Sequence, residues 1–140
     1  MKDILLIQDD RGVGQATVRI LKVRGFAPPT WIAGVSSIEF TDNILQGLDI
    51  NESPVQVDLA KYAIALVDGN LKIGVAHGWT LVPKLKKAGL LCIGMSTMFF
   101  AEMAAAEADY VIDPMDFPAF SEGDFRQIYE RACAQRKSGS

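Results

Sequence analysis

With 140 residues, 49 % of them hydrophobic, the chain has material for one compact core and too little for two ordinary domains. A formal net charge of −3 gives no electrostatic footprint for nucleic acid, and no stretch approaches the run of about 20 uncharged apolar residues that crosses a bilayer. The opening Met1-Lys2-Asp3 leads into a short apolar run without a secretory cleavage site, so a cytoplasmic protein is expected. Cys92 and Cys133 fit neither a disulfide framework nor a spaced metal site and read as packing residues.

Ile4-Leu5-Leu6-Ile7 is a continuous apolar run ended by Gln8-Asp9-Asp10, as expected of a strand buried on both faces of a parallel sheet. Val13, Ala16, Thr17, Ile20 and Leu21 then recur at helical spacing up to Gly25, a C-terminal stop. A short strand is predicted at Trp31 to Val35. Ile38, Phe40, Ile44, Leu45 and Leu48 form the next helical stripe behind the capping serines Ser36 and Ser37, and Asp49 to Lys61 reads as a long loop or insertion.

Tyr62-Ala63-Ile64-Ala65-Leu66-Val67 is the second strongly buried strand, ending at Asp68-Gly69-Asn70. The helix carrying Leu81, Val82 and Leu85 accepts Pro83 only if that proline lies in its first turn. Leu90-Leu91-Cys92-Ile93-Gly94-Met95 is a third buried strand ending at Ser96-Thr97, followed by a short alanine-rich helix through Glu107. Tyr110-Val111-Ile112 is the last short strand, ending at Asp113-Pro114. A final helix begins where Ser121 and Asp124 resemble a capping box, and Phe125, Ile128, Tyr129 and Ala132 line one of its faces. Residues 1–137 form the expected domain and 138–140 a polar tail.

Strands alternating with helices predict an α/β fold, a doubly wound five-stranded parallel sheet flanked by helices. In such sheets the functional crevice lies at the carboxyl ends of the strands. Those ends carry Gln8-Asp9-Asp10, Asp68, Ser96-Thr97 and Asp113-Pro114, so three of the four are acidic and one is hydroxylic. If the first and third of the predicted strands are neighbours, Asp9 and Asp68 converge in one crevice, where two carboxylates with a water or carbonyl ligand suit Mg²⁺.

This arrangement resembles the receiver domain of response regulators, a flavodoxin-like architecture. That family places an acidic pair after strand one, a phosphoacceptor aspartate after strand three, Ser or Thr after strand four and Lys-Pro after strand five. The stretches Ile4 to Asp10, Ala65 to Leu71, Ile93 to Thr97 and Ala108 to Pro114, with Gly25-Phe26 closing the first helix, match in order over nearly the whole chain. The resemblance implies a two-component phosphorelay module that is not itself an enzyme. Asp68 would accept a phosphoryl group from a histidine kinase or phosphotransfer protein. Asp9, Asp68 and the Asn70 backbone carbonyl would hold Mg²⁺. Ser96 would reach the phosphoryl oxygens, and Tyr110 would act as the switch reporting to a downstream protein partner.

Two positions depart from the family. Counting back from Gly25, the acidic pair falls on Gln8 and Asp9, which weakens metal binding; pairing Asp9 with Asp10 instead would turn the wrong faces of the strand inward. Asp113 occupies the place of the lysine that pairs with the phosphoryl group. At about 4 Å and an effective dielectric near 20, one unit-charge interaction is on the order of 4 kcal/mol, so the reversal opposes phosphotransfer unless Asp113 points away. Lys72 is the candidate substitute cation. The alternative is a pseudo-receiver, an interaction module independent of phosphorylation. A third reading is a flavodoxin-like enzyme or small-ligand binder. Gly12-x-Gly14 lacks the third glycine of a dinucleotide loop, and His77, the only histidine, excludes a multi-histidine metal site and reads as a loop residue. Trp79, Met98, Phe99 and Phe100 divide between core packing and a docking patch.

Overall fold

The computed structural model describes residues 3–37, 39–40, 42–96, 98–113, 117 and 122–138. The main sheet contains β1 (Asp3–Ile7), β2 (Thr30–Ile32), β6 (Tyr62–Asp68), β7 (Leu91–Met95) and β8 (Tyr110–Ile112), in the order β2-β1-β6-β7-β8 and parallel throughout. The predicted five-stranded doubly wound sheet is therefore present, with its topological switch between β1 and β6.

Period-two alternation sends successive residues of the buried strands to opposite faces. Leu5, Ile7, Ala65 and Val67 join a core with Leu81, Val82 and Leu85 of α2 (Gly78–Lys87) and Met103 of α3 (Phe100–Ala105). Ile4, Leu6, Ile64, Leu66, Ile93 and Met95 face the other way, onto Leu21 of α1 (Arg11–Val23) and Phe125, Ile128 and Tyr129 of α4 (Glu122–Ser138). Each fully buried aliphatic side chain contributes roughly 1.5–3 kcal/mol relative to exposure, so these runs fix both layers. Phe26 ties α1 to α4 through edge-on contacts with Phe125 and Tyr129, at 5.1 and 5.2 Å between centroids. Gly25, with φ +85°, ends α1 as expected.

The segment between β2 and β6 differs from the sequence reading. The predicted helix over Phe40, Ile44, Leu45 and Leu48 is absent. In its place β3 (Gly34–Val35), β4 (Ile44–Leu48) and β5 (Pro54–Asp58) form a second, antiparallel sheet in the order β3-β4-β5, and Leu59–Lys61 is a 3-10 turn. The predicted Trp31 to Val35 strand is split between the two sheets. The physical reason is a hairpin turn: the Asp49 Oδ1 accepts hydrogen bonds from the backbone N–H groups of Asn51 and Ser53, at 2.8 and 2.9 Å, and reverses the chain between two five-residue strands. Leu45, Val57 and Leu59 are buried against the α2 side of the main sheet, which makes the small sheet part of the core.

Three smaller corrections concern helices. Pro83 is the sixth residue of α2, outside its first turn, where it removes the N–H that would reach the Trp79 carbonyl; its ring lies on the exposed side of the helix. Ser138 belongs to α4 and not to the tail. The expected roles of Ile38, Thr97, Pro114 and Ser121 lie outside the described residues. Among the described residues no helix is long and apolar enough to cross a membrane.

Candidate functional site

The carboxyl ends of β1, β6 and β7 enclose a cleft of about 240 Å³ lined by Gln8, Asp9, Asp10, Val13, Asp68, Asn70, Lys72, Ser96, Met98 and Phe99. Asp9, Asp68, Asn70 and Ser96, drawn from three separate stretches of sequence, are thus brought together. Tyr110 and Asp113 are not among the lining residues.

Each residue of the β1 end has a distinct task. Gln8 is 2 % exposed and its Oε1 accepts from the Asp10 N–H at 3.0 Å, while its carbonyl accepts from the Trp31 indole N–H at 2.7 Å. Asp10 caps α1, its Oδ1 accepting from the Val13 N–H at 2.9 Å. Asp9 receives the Lys72 backbone N–H on Oδ2 at 2.5 Å, which ties the loop after β6 back to β1. The acid of the β1 end that faces Asp68 is therefore Asp9. Of the two glycines after β1, Gly14 serves packing: a Cβ there would lie 2.1 Å from the Trp31 ring, so glycine makes room for the indole.

Asp68 ends β6, and its Oδ1 is 3.4 Å from the Asn70 N–H. Burial raises its pKa from 3.8 to about 7, the neighbouring Asp9 charge adds to the rise, and hydrogen bonds from the Asn70 and Gly69 backbone oppose it. Gly78 N donates to the Gly69 carbonyl at 3.1 Å, and a Cβ on Gly78 would sit 1.7 Å from the Asp68 carbonyl oxygen. Only glycine lets the start of α2 approach the Asp68 backbone so closely.

Ser96 is 2 % exposed, and its Oγ accepts from the Phe99 N–H at 2.7 Å and the Met98 N–H at 3.3 Å. A Cβ on Gly69 would be 2.9 Å from that oxygen, which places the hydroxyl directly beside the backbone of the β6 end. Tyr110 is half-buried behind β7, with its hydroxyl accepting from Arg131 Nη1 at 2.8 Å. Of the aromatic group, Trp79 lies between His77, stacked at 4.3 Å, and Phe99 at 4.7 Å, while Met98 is exposed at the cleft mouth. Burial pushes the Cys92 thiol up, reinforced by the Asp109 charge, as suits an inert packing residue.

The donor set fits a weakly held divalent cation. Two carboxylates whose charges oppose each other share one cleft with Asn70, and Mg²⁺ is bound through one or two carboxylates with water completing its shell. Among the described residues, no group of three or more His, Cys, Asp or Glu side chains is placed to hold a metal. Gln8 in the place of a second β1 acid is consistent with that.

The main sheet thus carries an acid, a second acid and a hydroxyl at the adjacent ends of β1, β6 and β7, in an α/β fold with one parallel five-stranded sheet. The chain has the fold of response-regulator receiver domains. No family model matches the sequence, and no curated protein matches it. Among solved structures, the signal receiver domain of a DNA-binding response regulator from Colwellia psychrerythraea 34H superposes with a TM-score of 0.64 at 17 % identity, covering 93 % of this chain and 99 % of that one. A response regulator receiver protein from Pseudoalteromonas atlantica gives 0.61 at 18 % identity, covering 92 % and 98 %. A response regulator from Burkholderia pseudomallei, solved with a phosphorylated aspartic acid, calcium ion and citrate, gives 0.55 at 17 % identity, covering 81 % and 59 %.

Proposed function

We propose that this chain is a receiver module of a two-component phosphorelay in which Asp68 accepts the phosphoryl group. The observation that carries the reading is the convergence of Asp68, Asp9 and Ser96 on one cleft at the topological switch of the sheet. The phosphorylated aspartic acid of the Burkholderia neighbour supports it. In the proposed transfer a carboxylate oxygen of Asp68 attacks the phosphorus of a phosphohistidine on a histidine kinase or phosphotransfer protein. The P–N bond breaks, and its electron pair stays on the imidazole nitrogen, which takes up a proton.

Ser96, whose Oγ already accepts two backbone N–H groups, has its hydroxyl proton to donate to a phosphoryl oxygen. Mg²⁺ held by Asp9, Asp68 and the Asn70 carbonyl would offset the charge gathered in the cleft. Lys72, which lines the cleft, supplies the cation that position 113 does not. Tyr110, tied to α4 through Arg131, would relay the state of the cleft to a downstream protein partner on the β8 and α4 face.

Gln8 and Asp113 favour a second reading, a pseudo-receiver that keeps the fold as an interaction module. Intact-mass spectrometry after incubation with Mg²⁺ and acetyl phosphate separates the two. A phosphoryl-sized gain on the wild type that Asp68→Asn abolishes supports the acceptor role. No gain in folded protein, beside a receiver that does react, assigns the pseudo-receiver.

A further inference from the structure

The antiparallel sheet has two edges, and they are treated differently. On the β3 side, the Val75 N–H donates to the Val35 carbonyl at 3.0 Å, and a Cβ on Gly34 would meet the Ile73 carbonyl oxygen at 2.0 Å. The loop after Asp68 therefore covers that edge. On the other side β5 is terminal: among the described residues it pairs with β4 alone.

The ladder settles which β5 groups look outward. The Leu59 N–H donates to the Asn43 carbonyl and the Asp49 N–H to the Ser53 carbonyl, both at 2.9 Å, and these bonds lie in phase with the pairs Leu45↔Val57 and Gly47↔Val55. In an antiparallel ladder hydrogen-bonded pairs alternate, so Val55 and Val57 spend their backbone groups on β4, while Pro54, Gln56 and Asp58 turn theirs away from it. The β3 side agrees independently: Ser36 N donates to the Gln46 carbonyl at 2.8 Å, so the even-numbered residues of β4 face β3. A bare edge of this kind is a template for another strand.

We propose that the β5 edge is a self-association surface on which a second copy of this chain pairs antiparallel about Gln56. The edge is self-complementary. With Gln56 on the two-fold axis, each Gln56 N–H donates to the other copy's Gln56 carbonyl, and each Asp58 N–H donates to the other copy's Pro54 carbonyl. Proline, which cannot donate, falls at the first residue of the strand, so it costs the pairing one bond per copy and does not interrupt it.

Charge agrees with the same alignment. Glu52 stands just before β5 and Lys61 just after it, both exposed, so the antiparallel axis brings the glutamate end of each copy beside the lysine end of the other. The Asp58 carboxylate is directed into its own chain, where Oδ1 accepts from the Ala60 N–H at 3.1 Å, and does not oppose its counterpart. A five-residue strand pair is a small interface, so the association is weak.

Sedimentation equilibrium of the full chain between about 10 µM and 1 mM tests this, with a reversible dimer expected in the upper part of the range. Gln56→Pro removes an outward N–H without touching the β4 ladder. It should leave the circular dichroism unchanged and raise the dimer dissociation constant about tenfold or more. Glu52→Lys and Lys61→Glu should each weaken the dimer by about threefold at low salt, and the double swap should restore it, a test that stands even where the proline variant folds poorly. Amide exchange of Gln56 and Asp58 should slow with protein concentration. A chain monomeric throughout, a dimer indifferent to both kinds of substitution, or a Gln56 amide already protected at the lowest concentration, as when another segment of the same chain covers the edge, overturns the proposal.

Discussion

Removing the charge of Asp68 should stabilise the cation-free protein, and by an amount that depends on pH. Burial and the Asp9 charge raise this carboxyl from 3.8 to about 7, so the folded state binds its proton more tightly than the unfolded chain does. Stability from this group is fully present below the unfolded value of 3.8 and is lost as pH rises through about 7. About three pK units at 1.36 kcal/mol each sets an upper limit near 4 kcal/mol; the carboxyl keeps partial access to solvent, which screens it to about 2 kcal/mol. Asp68→Asn keeps an acceptor for the Asn70 N–H and has no charge to desolvate. Urea denaturation with a chelator present, followed by circular dichroism, should show the variant more stable by about 2 kcal/mol at pH 8, with the gap narrowing through pH 5 and closing below about pH 4. Parallel profiles for the two proteins, or a gap that widens on acidification, would refute the assignment of a desolvated, repelled carboxyl to this position.

Other substitutions probe the rest of the construction. Gly78→Ala places a Cβ within 1.7 Å of the Asp68 carbonyl oxygen and should destabilise the fold by about 3 kcal/mol in the same urea assay. Leu45→Ala empties a fully buried position of the small sheet and should cost about 2–5 kcal/mol, whereas a loosely attached insertion would lose under 1 kcal/mol. Gln8→Asp adds a carboxylate beside Asp9 and Asp68 and should raise Mg²⁺ affinity about tenfold. Titration followed by Trp31 fluorescence reads that change, because the Trp31 indole N–H is bonded to the residue 8 carbonyl.

The parallel sheet was legible because its strands are buried on both faces: Ile4 to Ile7, Ala63 to Val67 and Leu91 to Met95 read as unbroken apolar runs, and length separates them from helices. The site followed from the same fact, since each run stops where a polar residue reaches the carboxyl edge. The small sheet was not legible because Ile44, Leu45 and Leu48 satisfy a helical spacing as well as a short strand. In β4 the two positions turned to the core are Leu45 and Gly47, and Gly47 carries no hydrophobic mark. The signal that did exist was the turn: Asp49 to Ser53 is rich in residues that cap and reverse a chain, followed by Val55 and Val57 in strict alternation. Pro83 shows a different gap, where the packing of Leu81, Val82 and Leu85 outweighs the bond that proline removes.

The hairpin also changes what surrounds Asp68. The loop after β6 is held at two points, to β1 by the Lys72 N–H on Asp9 and to β3 by the Val75 N–H on Val35, with Leu71 buried just before the first of them. Any rearrangement that draws Asp9 toward a cation must act on the Lys72 amide, and through four residues of chain on the edge of the antiparallel sheet. The hydroxyl of Ser96 anchors the start of the α3 segment through Met98 and Phe99, so a shift of that oxygen toward a phosphoryl group gives up bonds that hold Phe99 against Trp79. The cleft therefore has two mechanical exits, one through the small sheet and one through the aromatic stack of α2. Double-mutant cycles between Asp68→Asn and substitutions at Val75 or Trp79 would measure which of them carries the coupling.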